Sequence, residues 1–220
     1  SSSAASDVYK RQDFISFNIL GDFKFDKLSK DLNYLFATIF PNLSEPLDYI
    51  LTKQYVEFDV EIRDFSKIST VFFPYLDIAK ASKLKFYLDG EKELLNFSFN
   101  SNKVQYDNFI LNNINFNIKD QQEIYLDSNL KLILSIDEFI NNQILNFQNI
   151  EINTTAKNNI VNTSLAWNNN DSNSIGKVSS TIDFKSSEII FATLEEFYLF
   201  DSSVGYWNMA GNPSIKFMDD

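Results

Sequence analysis

The sequence has no histidine and no cysteine, and only five glycines and four prolines among its 220 residues. Without cysteine, the chain has no disulfide, no thiol nucleophile and no zinc–thiolate site. Without histidine, it has no Ser-His-Asp triad, no two-histidine iron site and no imidazole base. The scarcity of glycine also disfavours folds that need many tight corners. These absences exclude most common enzyme chemistries, and we therefore predict a non-catalytic protein with no cofactor and no metal site.

The chain is acidic, with 30 Asp and Glu against 19 Lys and Arg and a formal net charge of -11. A nucleic-acid partner needs a basic face to neutralise phosphates, so this class of partner is excluded. Neighbouring residues of a strand point to opposite faces, so we interpret acidic pairs such as Glu195 and Glu196 as solvated charge rather than a catalytic dyad. The run Asp171-Ser172-Asn173 resembles a loose calcium-binding turn but lacks the spacing and glycine of an EF-hand loop, and we interpret it as a turn.

The beginning of the chain has an unusual composition. Residues 2–12 read SSAASDVYKRQ, which resembles the translation of a transposon adapter used to prepare sequencing libraries. We interpret residues 1–12 as an artefact of this kind and expect them to be disordered. Residues 13–220 contain no linker-like stretch. We predict that they form a single β-groove segment of a larger protein.

Apolar and polar residues alternate through most of the chain, which is the pattern of strands with one buried and one solvated face. In residues 55–63, for example, Val56 and Phe58 share one face while Glu57 and Asp59 share the other. Turn signals separate these runs, including an Asp-Gly pair at residues 89–90 that is typical of a two-residue hairpin turn. The fold class that we predict is mainly β, a long antiparallel meander forming a curved, half-open β-groove with one or two short helices near the N-terminus.

The apolar positions of these runs are predicted to line the groove. They are Phe17, Ile19, Phe23, Val56, Phe58, Val60, Ile62, Leu84, Phe86, Leu88, Phe97, Phe99, Ile114, Phe116, Leu130, Leu132 and Leu134. We name no catalytic, cofactor-binding or metal-ligating residue.

One segment has helical rather than strand spacing. Residues 26–40 place leucines at intervals of three and four, with Asp26 as a candidate N-cap and Pro41 ending the run. A second short helix is predicted after Ser44. The polar face of the first helix carries Lys30 and Asp31, so it is not strongly basic, and packing across the mouth or end of the sheet is favoured over a membrane-surface role.

The order of these pieces resembles the TamB family of cell-envelope proteins, in the form found in the Bacteroidota. The resemblance extends over most of residues 13–220. The segments that carry it are residues 14–40, Phe72-Phe73-Pro74, residues 83–90, 108–114, 159–168 and 200–215.

This resemblance implies a non-catalytic periplasmic segment of a long protein that an N-terminal helix, outside this chain, anchors in the inner membrane. Such proteins are similar to bridge-like lipid carriers. The implied partners are phospholipid acyl chains in the groove and, through parts outside this chain, an outer-membrane assembly protein of the Omp85 type. The implied function is to shield acyl chains, or to assist outer-membrane protein assembly, between the two membranes.

An alternative function remains open at this point. A secreted or surface β-sandwich module for binding or adhesion would also contain many alternating strands. It would have a closed core between two sheets and would place recognition on its loops.

Overall fold

The computed structural model describes residues 6–11, 13–44, 50–120, 129–141 and 145–218. These ranges contain fourteen strands and two α-helices, α1 (Phe25–Ile39) and α2 (Ser66–Phe72), with a short 3-10 turn at Pro41–Leu43. The strands are β1 (Ser6–Arg11), β2 (Ile15–Asp22), β3 (Tyr55–Ile62), β4 (Leu76–Ile78), β5 (Ser82–Asp89), β6 (Leu94–Tyr106), β7 (Phe109–Asp120), β8 (Leu130–Asn141), β9 (Leu145–Lys157), β10 (Ile160–Asn168), β11 (Ser174–Phe184), β12 (Ile189–Asp201), β13 (Gly205–Asn208) and β14 (Ser214–Met218).

All fourteen strands belong to one antiparallel sheet, and most of them pair with the strands that precede and follow them in the chain. The order is β1-β2-β3-β5-β6-β7-β8-β9-β10-β11-β12-β13, while β4 pairs with β6 and β14 pairs with β12. The sheet is open, with β1 at one edge and β13 and β14 at the other. The predicted fold class is therefore confirmed, and within the described ranges there is no second sheet of the kind that a β-sandwich requires.

The register of the pairings aligns the apolar side chains into rows that cross the sheet. One row, which we call the central row, runs through ten strands from β2 to β12 without a polar member. It consists of Phe17, Val60, Leu84, Phe99, Phe116, Leu134, Ile152, Leu165, Val178 and Phe197. Because side chains alternate between the two faces of a strand, this row defines a single apolar face, which we call the inner face.

Helix α1 lies on the inner face, across the ends of the strands. Its Leu35 packs against Val56 and Leu88, which have no exposed surface. Fifteen helical residues span about 22 Å, close to the roughly 24 Å of five inter-strand spacings, and five steps separate β3 from β9. At its far end, the Asn159 N–H on the turn after β9 donates to the Ile39 carbonyl (2.9 Å). The helix thus covers one margin of the inner face, as the sequence pattern predicted.

The start of α1 differs from the predicted start. The helix begins at Phe25, and Lys24 is the N-cap, with no side-chain capping bond. Asp26 lies inside the first turn, where its negative charge still interacts favourably with the positive end of the helix dipole. The predicted second helix after Ser44 falls mostly on residues 45–49, outside the described residues.

A line of strand irregularities crosses the sheet on the side opposite α1. The register of β6, β7, β8 and β9 skips one residue in each strand at the same level, and we call this line the crease. The skipped residues are Asn102, Asn113, Asp137 and Asn149. Asn113 and Asn149 have φ of +50°, a left-handed conformation that asparagine tolerates better than most residues. In each strand pair the two unpaired residues lie opposite one another and the register is the same on both sides, so the crease interrupts the pairing without adding a residue to any strand.

The crease buries a second apolar cluster that contains no helical residue. Its centre is Ile114, Ile136 and Ile150, and its neighbours all come from the sheet itself, from both sides of the crease. Side chains on both sides of the crease therefore cover the three isoleucines. The sheet as a whole stays open, which is consistent with a half-open groove.

Three sequence-based expectations were wrong. Residues 6–11, expected to be disordered, pair with β2 over six residues, because the unpaired edge of β2 offers N–H and C=O groups to any extended segment beside it. The Asp-Gly pair does not form a two-residue turn. The loop covers residues 90–93, the Asp89 carboxylate accepts the N–H groups of Glu91 and Lys92, and Glu93 takes the positive φ.

The third correction concerns Asp31, which was placed on the solvated face of α1. Its side chain is fully buried. The carboxylate accepts hydrogen bonds from the Thr52 N–H (3.0 Å), the Thr52 hydroxyl and the Gln54 side-chain amide. Gln54 in turn accepts the Lys24 N–H through Oε1 (3.0 Å). A buried carboxylate needs such donors, and these bonds join α1 to the segment that leads into β3.

Candidate functional site

The inner face is the candidate site, and the structure assembles the predicted lining residues there. Phe17, Val60, Leu84, Phe99, Phe116 and Leu134 belong to the central row. A second row lies next to it on the side of α1. It contains Ile19, Phe58, Phe86, Phe97, Ile118 and Leu132, all joined by direct cross-strand pairing. Pattern reasoning from strand alternation was enough to place these residues on one surface.

Not every predicted lining residue is accessible. Val56 and Leu88 are covered by α1, and Ile62 and Ile114 are buried as well. Phe23 packs edge-on against the Phe25 and Phe58 rings, beside α1. Leu130 pairs with the buried Ala156 at the same margin. These six residues therefore form the floor and margin of the inner face. The two rows form its more open part, although Ile19, Phe58 and Phe86 of the second row also pack against the cluster under α1.

The exposure of the aromatic side chains shows how open the inner face is. All 22 Phe of the sequence lie in the described ranges, and Phe65 is the one whose side chain is buried. Phe rings on the two rows, such as Phe86 and Phe116, are half-buried. Folded domains of this size bury most large apolar side chains, and a contiguous exposed apolar surface marks a binding site. Covering such a surface contributes roughly 25 cal/mol per Å².

Beyond the crease, the inner face continues as a row of rings that sequence reasoning missed. Phe109 stacks on Phe139, Phe139 on Phe147, and Phe147 contacts Trp167 edge-on, with centroid distances of 5.9, 6.4 and 5.3 Å. The signal was present in the sequence, because the apolar positions of β7, β8 and β9 change between even and odd numbers at the unpaired residues of the crease. Apolar side chains from both sides of this change belong to one cluster.

The ring of Trp167 depends on a glycine in the next strand. Gly176 pairs with Trp167, and a Cβ at this position would lie 2.3 Å from the indole ring. The indole N–H donates to the Ser174 hydroxyl (3.0 Å), which satisfies the polar atom of an otherwise apolar side chain. Trp167 thus packs against the apolar cluster of the crease.

The second row becomes polar toward the far edge of the sheet. After Leu132 it continues through Thr154, Thr163 and Ser180. The Thr154 and Thr163 hydroxyls lie 3.0 Å apart and share a hydrogen bond. The most apolar part of the open surface is therefore the part built by β2 to β8.

The opposite face of the sheet is polar. Ion pairs join strands across it, with Lys85 3.2 Å from Asp59 and Lys177 2.6 Å from Glu196. At the start of β3, the Tyr55 hydroxyl donates to the Glu57 carboxylate (2.8 Å). This hydrogen bond, together with burial and the negative charge of Glu57, raises the pKa of Tyr55 to about 12.

The turn at residues 169–173 agrees with its interpretation as a turn. The Asp171 carboxylate accepts the Asn173 N–H (3.0 Å), and Asn169 and Asn170 bond to β9 across the gap. Among the described residues, acidic side chains form no group of three or more with the geometry of a metal site.

Comparisons of this chain with protein-family profiles, with curated proteins and with solved structures found no significant match. The resemblance to the TamB family therefore stays a prediction. Within the described ranges, no helix is long and apolar enough to cross a bilayer.

Proposed function

We propose that this chain is a non-catalytic segment of a TamB-like envelope protein that shields phospholipid acyl chains on its inner face. The observation that carries this proposal is the central row, which crosses ten strands with only apolar residues, on a sheet that no second sheet covers within the described ranges. A ligand for this surface must be long and apolar, and it must fit against apolar side chains of different shapes. An acyl chain has these properties, whereas a small polar substrate does not.

The location follows from the same proposal. A chain that carries acyl chains through water works between membranes, and the periplasm, with an inner-membrane anchor outside these residues, fits this role. An outer-membrane assembly protein of the Omp85 type is the proposed partner through other parts of the protein. Assistance to outer-membrane protein assembly is compatible with the same surface, because an unfolded outer-membrane strand is also apolar on one side.

Site-specific photo-crosslinking tests the proposal. A benzophenone side chain placed at Leu132, on the second row, should capture phospholipid when the protein is expressed in a bacterial envelope. Ile133 is the matched control, because it is the next residue of the same strand, is also aliphatic and points to the opposite face. Phe86 and Tyr87 form a second matched pair on β5.

The expected result is lipid adducts at Leu132 and Phe86 and none at Ile133 and Tyr87. Equal adducts on both faces would indicate non-specific contact with membranes and contradict the proposal. Absence of lipid at all four positions in folded protein would also contradict it. Capture of protein rather than lipid at the inner positions would favour the assembly role.

A further inference from the structure

An exposed apolar patch lies at the end of the sheet opposite α1, next to the row of rings that begins at Phe109. Its members come from α2, from the segment that follows it and from the turn between β6 and β7. They are Val71, Phe72, Phe73, Tyr75, Tyr106 and Phe109, with exposed fractions of 70, 70, 54, 67, 57 and 41%. We call this surface the α2 patch.

The α2 patch is held in place by the sheet. The Asp107 N–H donates to the Tyr75 carbonyl (2.9 Å), and Leu76 of β4 pairs with Tyr106 of β6. Phe65, at the start of α2, is buried. The segment is therefore anchored by backbone bonds and one buried ring, while its other aromatic side chains point away from the protein.

Neither core packing nor strand pairing explains this exposure. Phe72 and Phe73 contact each other, with ring centroids 6.5 Å apart, and both remain more than half exposed. The exposed Trp207 and Phe217 differ, because they belong to the edge strands β13 and β14, where the next strand of a sheet would cover them. The α2 patch instead lies mainly on a helix and on the segment that leads into β4, a three-residue strand that pairs with β6.

The charge around the patch has the opposite sign to the rest of the chain. Residues 63–83 carry four basic and two acidic side chains, a net charge of +2 in a chain of net charge -11. Lys67 and Lys80, which flank the aromatic residues, are both exposed. Aromatic side chains with flanking lysines are typical of segments that enter the headgroup region of an anionic bilayer.

The patch is also continuous with the inner face. Phe109, one of its members, stacks on Phe139, which begins the row of rings that reaches Trp167. A bilayer in contact with the patch would therefore meet an unbroken apolar path onto the inner face.

From these observations we infer that the α2 patch is a bilayer-docking element, with Phe72, Phe73 and Tyr75 entering the interface of an anionic membrane. Its occupant is the lipid surface itself. This inference goes beyond the proposed function, because docking on a bilayer does not require an acyl chain on the inner face.

Co-sedimentation of the full chain with lipid vesicles tests this inference. The probes are vesicles of phosphatidylcholine and vesicles in which a third of the lipid is phosphatidylglycerol. The double variant F72S/F73S should lower the apparent affinity for the anionic vesicles by roughly tenfold or more. The matched control is Phe217→Ser, which removes an equally exposed Phe (53%) from the edge strand and should leave binding unchanged.

Charge gives a second readout. The double variant K67E/K80E should weaken binding to the anionic vesicles and leave the small affinity for neutral vesicles unchanged, and salt should weaken wild-type binding in the same way. Sedimentation velocity and circular dichroism of each variant report the oligomeric state and the folding.

Three results would overturn the inference. The first is a wild-type chain that binds no anionic vesicles. The second is a folded F72S/F73S variant that binds as well as the wild type. The third is a wild-type dimer that F72S/F73S converts to a monomer, because the occupant of the patch would then be a second copy of the chain. Since Leu132 lies outside the patch, crosslinking there tests the proposed function independently.

Discussion

The two buried clusters of this sheet are covered in different ways. Around Val56 and Leu88 the cover is α1, and both residues lose all contact with solvent. Around Ile136 the cover consists of side chains of the sheet itself, from both sides of the crease, and the central isoleucines keep 7–8% of their surface. A separate layer buries residues completely but occupies the face that it covers. Side chains of the sheet bury them less completely and leave the neighbouring rows open, as the proposed function requires.

The largest effect should come from a cavity under α1. Leu88→Ala removes a side chain with no exposed surface, and we expect a loss of about 3 kcal/mol in the free energy of unfolding. The matched change Ile136→Ala in the crease should cost about 2 kcal/mol. Side chains on the two sides of the crease can fill the lost volume more easily than a helix that hydrogen bonds hold at both ends. Urea denaturation measures both. A larger loss for Ile136→Ala would mean that the crease is the more rigid cover.

A smaller effect is expected from overpacking beyond the crease. Gly176→Ala places a Cβ 2.3 Å from the Trp167 ring, so one strand or the ring must move, at a cost of about 1–3 kcal/mol. In a Trp167→Leu background the same alanine should be nearly neutral. A double-mutant cycle measures this coupling, and additive effects would rule out direct contact between the two side chains as the cause.

The crease itself can be tested by backbone strain. Asn113 has φ of +50°, so Asn113→Val should cost about 1–2 kcal/mol, whereas Asn113→Gly should stay within a few tenths. Asn115 on the same strand is the matched control, because it has no positive φ, and Asn115→Val should be neutral or slightly stabilising. Equal tolerance of valine at both positions would show that the left-handed backbone at residue 113 can relax without penalty.

The smallest expected effect is alkaline and belongs to the half covered by α1. The Tyr55 phenol has a pKa of about 12 against an ordinary value of 10.0, and the Glu57 hydrogen bond is the largest cause. Since the folded state holds this proton more tightly than the unfolded state, the stabilisation is complete below pH 10 and is lost as the pH rises toward 12. Absorbance titration of the tyrosines should show that the highest pKa, that of Tyr55, moves back toward its ordinary value in Glu57→Gln. An unchanged titration would remove Glu57 as the cause.

Strand alternation was sufficient to predict most of the inner face. Val56, Phe58 and Val60 share one side of β3, and their partners in β2 and β5 follow from pairing neighbouring strands with their apolar faces together. The same reasoning predicted α1 and its place at the end of the sheet, because apolar residues three and four apart require a surface to cover. These predictions succeeded because the spacing of apolar residues is a local property of the sequence, and most strands of a meander pair with their neighbours in the chain.

The features that the sequence analysis missed depend on contacts between distant segments. The spacing of apolar residues along the chain does not report such contacts. The crease requires that four strands shift phase at one level, which is visible only once their register is known. The helical pattern placed Asp31 on the solvated face, because its hydrogen-bond donors, Thr52 and Gln54, lie more than twenty residues away in the sequence. The Asp-Gly pair suggested its favoured turn, but Gly90 lies against the Thr52 carbonyl, where a Cβ would come within 1.9 Å. Its role there is close approach rather than turn geometry.

The meander has a consequence for how the chain is built. Because each long strand pairs with its neighbours in sequence, a strand can join the growing sheet as soon as the next hairpin has been synthesised, with little loop entropy to overcome. Asn42 is different. Its N–H and side-chain amide bond to Asn159, Phe184 and Lys185, which lie 117 to 143 residues further along. The far end of α1 can therefore dock only after most of the sheet has been made, and its arrival would act as a checkpoint for completed assembly.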